Sequence, residues 1–264
     1  MPDRTVSLPS LADLERLFIQ KYGTAEKAGW SPRRRMKFGY FPPADIYEAT
    51  VSKVVQQGDR WLDVGGGHSL FPENPRLANT LVQRCASVTA VDPSENVLRN
   101  QFAQHRIQSL LEDYHPADRF DIVTMRMVVE HVERPDLFGE SLGRIVRPGG
   151  VAVVFTVNRL SPVSILANLV PFRFHHAVKS WFWGGDEVDT FPVHYKLNSR
   201  RALDAMFERY GFQNVAFSKL DDLATFSQFR FLGLVEMCAW KTLLTVGVRY
   251  PENCLLAVYQ RASD

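Results

Sequence analysis

The chain has 264 residues, enough for one large α/β domain carrying insertions, with the apolar (45%) and charged (23%) fractions of an ordinary folded protein. A net charge of +2 gives little field to draw nucleic acid, and the run Arg33, Arg34, Arg35, Lys37 reads as a solvated surface. Cys85, Cys238 and Cys254 are too scattered for a disulfide framework or a zinc site, so no metal is expected and a reducing, cytoplasmic setting is. The N-terminus lacks the apolar core of a secretion signal, and no stretch reaches the roughly 18 apolar residues of a membrane span.

In chain order, Leu11 to Tyr22 is an amphipathic helix with Leu11, Leu14, Leu17 and Phe18 on one side, followed by a basic, aromatic loop. Pro42-Pro43 opens a second helix running to about Gln57, since proline suits a first helical turn. Short apolar strands then alternate with helices. The strands are Arg60 to Val64, Ala86 to Val91, a weak one near Ile107, Phe120 to Met127 and Val151 to Val157. Helices fill Pro75 to Arg84, Ser94 to Gln104 and Pro135 to Val146. Continuously apolar strands with helical crossovers imply a parallel sheet covered on both faces.

The rhythm then stops for about forty residues, where Ser161-Pro162 starts a short helix ending at Pro171 and an aromatic, histidine-rich and acidic stretch follows. It resumes at a helix capped by Asn198-Ser199 and stopped by Gly211, then strands Gln213 to Leu220 and Asn253 to Gln260 around an apolar helix at about 226–244. The organisation expected is one domain: a helical cap over 1–57, a core over 58–157, an insertion over 158–197, and the rest of the core over 198–264.

The strongest motif is WLDVGGGHS at 61–69, where an apolar strand runs into Gly65, Gly66 and Gly67. Glycine permits positive φ and lets a ligand lie on bare backbone, and the carboxyl end of a first strand is where open α/β sheets bind ligands. Asp63, just before the glycines, is placed to accept from an ammonium group. Asp92 ends the next strand, at the start of VDPS; it either accepts from both hydroxyls of a ribose or caps the helix beginning near Pro93 and Ser94. A nicotinamide oxidoreductase would use similar parts. Here, though, the glycines do not read G-x-G-x-x-G, and Asp92 lies 27 residues beyond Gly65 rather than the roughly 20 of that fingerprint.

The segments LDVGGGHS, VTAVDPS, FDIVTMRMVVEHV and RIVRPGGVAVV, in that order and spacing, resemble the class I S-adenosylmethionine (SAM) methyltransferases over about residues 60–157. The resemblance implies a Rossmann-like, seven-stranded, mostly parallel sheet with the last strand antiparallel, helices on both faces and helical insertions. It places Gly65 and Gly67, with Gly66 between them, near the methionine part of SAM, Asp63 near its amino group, and Asp92 with Pro93 at the ribose. Leu110, Leu111 and Glu112 match the border of the adenine, and Met125 with Arg126 the position facing the sulfur and carboxylate. Arg126 is a departure, since many relatives carry a small or apolar residue there; it pairs with a carboxylate of cofactor or substrate, or with a nearby acid. In some quinone-biosynthesis relatives an acid three residues before Glu130 helps hold a metal; here that residue is Met127.

SAM brings an activated methyl, so a base is needed only where the acceptor must lose a proton. The candidates are His131, which is otherwise a hydrogen-bonded histidine at a helix start, His194 with Tyr195 where the insertion rejoins the core, His175, His176, and His68, which orders the loop or touches the cofactor. Tyr40 either closes the cofactor pocket or is a core-edge aromatic. Trp181, Phe182 and Trp183 suit a lid, and Asp186, Glu187 and Asp189 a solvated acidic loop. The apolar helix at 226–244 covers the active site, pairs two copies into a homodimer, or touches a membrane surface, in that order of preference. The expected activity is methylation of a small molecule, at oxygen before nitrogen or carbon, in secondary-metabolite, quinone or glycan chemistry. The rivals are a SAM- or nucleotide-binding module without catalysis and the oxidoreductase.

Overall fold

A computed structural model describes residues 6–24, 26–162, 165, 191–223 and 229–263. Its centre is a seven-stranded sheet: β1 (Arg60–Val64), β2 (Ser87–Asp92), β3 (His105–Gln108), β4 (Phe120–Arg126), β5 (Val146–Val157), β6 (Phe212–Leu220) and β7 (Cys254–Arg261). The order is β3-β2-β1-β4-β5-β7-β6, with β7 antiparallel to both neighbours and the other pairings parallel. This is the expected Rossmann-like architecture. The chain winds outward from β1 to β2 and β3, then returns to β4 on the other side of β1. The carboxyl ends of β1 and β4 therefore flank the switch point, the place where open α/β sheets bind ligands.

Helices cover both faces. On one lie α1 (Leu11–Tyr22), α3 (Pro43–Val54) and α4 (Pro75–Val82), packed over Trp61, Ile122 and Phe155; on the other, α5 (Pro135–Ile145) and α6 (Arg200–Arg209) cover Leu62, Val123 and Met125. Local chemistry sets their starts. The Ser10 hydroxyl accepts from the Asp13 amide while the Asp13 carboxylate accepts from the Ser10 amide, a reciprocal cap on α1. The side chains of Asn74 and Ser199 accept from Leu77 and Ala202 amides at the starts of α4 and α6. Lys21 of α1, buried between Asp45 (2.8 Å) and Glu48 (2.9 Å) of α3, locks these two helices together.

Two expectations are corrected. The basic stretch read as a loop contains helix α2 (Trp30–Phe38), which buries none of its own residues and so shows no apolar stripe in sequence. It forms against α7 (Arg230–Thr245): Arg34 bonds the Arg230 carbonyl, Lys241 Nζ donates to the Phe38 carbonyl, and Arg230 lies 5.3 Å over the Trp30 ring. The helix expected from Ser94 to Gln104 shrinks to a 3₁₀ turn, Glu95–Arg99, because the Asn100 side chain turns back to donate to the Gly66 carbonyl. Among the described residues, no helix is long and apolar enough to cross a membrane. His175, His176, the aromatic trio 181–183 and the acids at 186, 187 and 189 lie outside the described residues.

Candidate active site

Strand alternation brings Asp63 of β1 and Thr124 and Arg126 of β4 to one face of the sheet, opposite Tyr47 of α3. Asp63 is 4% exposed, and its Oδ1 accepts from Thr124 Oγ1 at 2.6 Å; Thr124 Oγ1 in turn accepts from Trp61 Nε1 at 2.8 Å. Burial pushes the Asp63 carboxyl up to about 7, against the opposing pull of the Thr124 bond and of Arg126. The Tyr47 hydroxyl is buried with no hydrogen-bond partner among the described residues, and burial holds its phenol well above the usual range. A desolvated carboxylate without a contacting cation is suited to receive an ammonium group.

The three glycines have separate jobs. Gly65 (φ +70°) gives its side-chain space to Val128: a Cβ there would lie 2.3 Å from a Val128 methyl. At Gly67 (φ +39°) nothing lies within 4 Å of where a Cβ would be, so its open backbone is the one a ligand can approach. The loop is held from below: Gly65 donates to the Val91 carbonyl, and fully buried Asn100 donates to the Gly66 carbonyl at 2.9 Å.

Asp92 does cap its own turn, accepting from the Ser94 amide at 2.8 Å, and also accepts from the Gly67 amide at 3.0 Å. The two readings of Asp92 are therefore compatible: these bonds pin a carboxylate at the tip of β2 beside the open glycine. His68 and Pro93 are exposed next to it. These residues fit the amino-acid and ribose parts of SAM.

Other predicted cofactor residues stand differently. Leu111 and Met125 are buried in the core on the α5 face, so only their backbone can border a ligand; Leu110 is exposed and Glu112 half-buried. Tyr40 packs edge-on against Trp240 of α7, and its hydroxyl donates to the Asp221 carbonyl and accepts from the Leu223 amide. It ties the start of α3 to the segment after β6.

The base candidates converge on Glu130, which the sequence reading named but gave no role. The Glu130 carbonyl accepts from the amides of both His194 (2.8 Å) and Tyr195 (3.1 Å). Its buried carboxyl accepts from Thr156 Oγ1 at 2.8 Å, and Thr156 Oγ1 accepts from Asn198 Nδ2 at 2.7 Å. His131 Nδ1 lies 3.0 Å from the Pro192 carbonyl, with Phe191 edge-on to its ring. His131, His194 and Tyr195 thus gather around the tip of β4, though 63 residues separate the first two. Burial raises the Glu130 carboxyl, and burial with the nearby Glu130 raises the Tyr195 phenol. A raised phenol keeps its proton near neutral pH, which suits Tyr195 to donating a hydrogen bond more than to taking a proton. The sequence signal for this network was Thr156 inside the apolar strand β5: a buried hydroxyl needs a partner.

Residues 40–216 match the model of a family described as "Methyltransferase domain". The chain belongs to that family. A protein named "Ubiquinone biosynthesis O-methyltransferase" from Coxiella burnetii is 28% identical over 168 residues, 57% of this chain and 66% of its own length. One of the same name from Alkalilimnicola ehrlichii is 30% identical over 165 residues, 56% of this chain and 62% of its own. The matches thus span a little under two thirds of these relatives. A solved structure described as a putative sarcosine dimethylglycine methyltransferase from Galdieria sulphuraria superposes with a TM-score of 0.52 at 12% identity, covering 95% of this chain and 98% of that one. At that identity it speaks for the fold alone. SAM is the methyl donor of this methyltransferase family.

Proposed function

We propose that the protein transfers a methyl group from SAM to an oxygen of a small hydroxylated aromatic acceptor of the quinone-precursor kind. The observation that carries this is the placement of His131, His194 and Tyr195 around Glu130 just beyond β4, at the same end of the sheet as the glycine loop. The names of the relatives support oxygen over nitrogen or carbon.

Asp63 would take the ammonium of the donor, Asp92 the ribose hydroxyls, and Gly67 the close approach of its backbone. When bound, SAM supplies a methyl already activated on a sulfonium. The protein then aligns the acceptor oxygen with that methyl and excludes water, which for well-placed reactants removes on the order of 7–11 kcal/mol of barrier. The His131 Nδ1–H donates to the Pro192 carbonyl, a tautomer that leaves Nε2 free to accept the acceptor's phenolic proton. Tyr195 donates a hydrogen bond to orient the acceptor. His194, brought alongside, is the second candidate for the proton.

We place the protein in the cytoplasm, a setting in which the thiols of Cys85, Cys238 and Cys254 would stay reduced. Exposed Phe231, Val235 and Val246 on and beyond α7 support pairing of two copies. The decisive experiment is calorimetric titration with SAM, S-adenosylhomocysteine and NAD, then mass spectrometry of catechols and hydroxybenzoates incubated with protein and SAM. Binding of the sulfur compounds and formation of a methyl ether are expected. NAD binding without the sulfur compounds would overturn the reading, and donor binding with no product from any acceptor would favour a non-catalytic module.

A further inference from the structure

We infer that Arg126 receives a carboxylate of the methyl acceptor, so that the site selects aromatic acids over neutral phenols. This names the substrate class of the methylation proposed above and rests on that reading.

Arg126 is an unsatisfied cation. It is half-buried, and its guanidinium makes no ion pair or hydrogen bond among the described residues. A guanidinium stays charged at any working pH, and a partly desolvated charge without a partner is costly. Beside it lies Phe155, its neighbour across β4 and β5, with Tyr47 stacked on that ring at 5.3 Å between centroids. Both rings are buried and offer no negative charge, and the unpartnered Tyr47 hydroxyl is a second group open to an anion. Asp63 feels the guanidinium but is not bonded to it, and the donor's ammonium satisfies that carboxylate once bound. An anion from outside therefore completes the surroundings of Arg126.

Position says which molecule brings it. In the sheet order β2-β1-β4-β5, the donor's partners stand on β2 (Asp92) and β1 (Asp63 and the glycine loop), while Arg126 ends β4 on the side of β5. The chain leaves β4 through Met127, held in a left-handed turn (φ +53°) with its amide bonded to the Phe155 carbonyl at 2.7 Å, and runs straight on to Glu130 and His131. Phe155 faces α3, so Thr156, next along β5, faces the other side, where the Glu130 carboxyl bonds it. Arg126 and the base candidates thus flank one strand tip from its two sides. A molecule that bridges them needs an anionic group at one end and an ionisable hydroxyl at the other, on a rigid frame. A hydroxybenzoate has that form: its carboxylate matches the fork of a guanidinium, and its hydroxyl is then carried toward His131. A neutral phenol would leave Arg126 unpaired and buried further by the ring above it.

The test compares 3,4-dihydroxybenzoate with catechol, which keeps both hydroxyls and lacks the carboxylate. Each is titrated by calorimetry into the S-adenosylhomocysteine complex of the wild type, Arg126→Met and Arg126→Lys, and KM and kcat for methyl ether formation are measured with SAM. The wild type is expected to bind the acid roughly tenfold to a hundredfold more tightly, the range for a charge-assisted pair, and to show the preference in KM more than in kcat. Arg126→Met is expected to bind the two alike, at the wild type's catechol level, and Arg126→Lys to recover part of the preference, showing that the fold is intact. Three results would overturn the inference: a wild type indifferent to the carboxylate, Arg126→Met that keeps the wild-type preference, or Arg126→Met that loses S-adenosylhomocysteine affinity while still preferring the acid, which would turn the guanidinium toward the donor. A wild type that binds the acid preferentially yet forms no ether from either compound would sink the methylation reading and leave the aromatic-acid site standing.

Discussion

Replacing Asp63 by Asn should stabilise the fold at alkaline pH while weakening donor binding, because the same desolvated charge opposes the first and serves the second. In the unfolded chain this carboxyl titrates near its usual 3.8; in the folded protein burial lifts it to about 7. Between those values the folded state holds a proton that the unfolded state has lost. Asp63's contribution to stability is therefore fully present below the lower value and declines as pH rises to the upper one. Over the part of that window lying between pH 5 and pH 8, the loss is about 3 kcal/mol for a single carboxyl.

Asn cannot titrate, and its Oδ1 keeps the acceptor role toward Thr124 Oγ1. Denaturant unfolding of both proteins at pH 5 and pH 8 should show Asp63→Asn gaining about 3 kcal/mol on the wild type across the interval. At pH 8, SAM affinity should fall at least about tenfold in the variant, the value of a lost charge-assisted bond. Wild-type affinity should rise with pH through the region of pH 7 as the carboxylate ionises, and that rise should be absent from Asp63→Asn. A stability difference that is the same at both pH values would refute the account of this carboxyl's burial. A flat affinity profile in the wild type would remove it from the ammonium.

Other outcomes follow from contacts already described. Gly65→Ala must displace a Val128 methyl as well as strain the backbone and should cost more than about 2 kcal/mol, whereas Gly67→Ala meets open space and should cost about 1 kcal/mol while cutting SAM affinity; equal thermal shifts would contradict this division of labour. His131→Gln should lower kcat by roughly 10²–10⁴-fold in a steady-state methylation assay. If His194→Gln does so instead, the proton belongs to His194. Asn198→Ala, which removes a donor to Thr156 and to the Val157 carbonyl, should lower stability by about 1–3 kcal/mol and shift the melting temperature accordingly; an unchanged melting curve would mean that the Glu130 network does not hold the 191–198 segment.

The sheet and its crevice were legible because apolar runs, crossover helices and a glycine turn are local signals. WLDV, VTAVD and FDIVTM each declare a buried strand, and GGG declares a turn at its end. Where the reading failed, the deciding forces came from elsewhere in the chain. Helix α2 has no apolar stripe and depends on α7, about two hundred residues on. The helix expected after Asp92 was cut short by one asparagine bonded to the glycine loop. The sequence left Tyr40 either at the pocket or at the core edge, and only the packed chain shows its hydroxyl bonded to the segment after β6.

Sequence alone determined the chemistry on offer: a bare-backbone turn, acids at two strand tips, a stray arginine on a third strand and a handful of histidines. These are fixed by residue type and periodicity, which act over a few positions. Only the tertiary structure decided which of them meet. Glu130, given no role by the sequence, brings His194 and Tyr195 beside His131 because its carbonyl bonds the returning loop while its carboxyl bonds Thr156 of β5. Asp63 acquires its raised carboxyl only when α3 closes over the sheet and takes water away, since desolvation belongs to the packed arrangement and not to any residue in it.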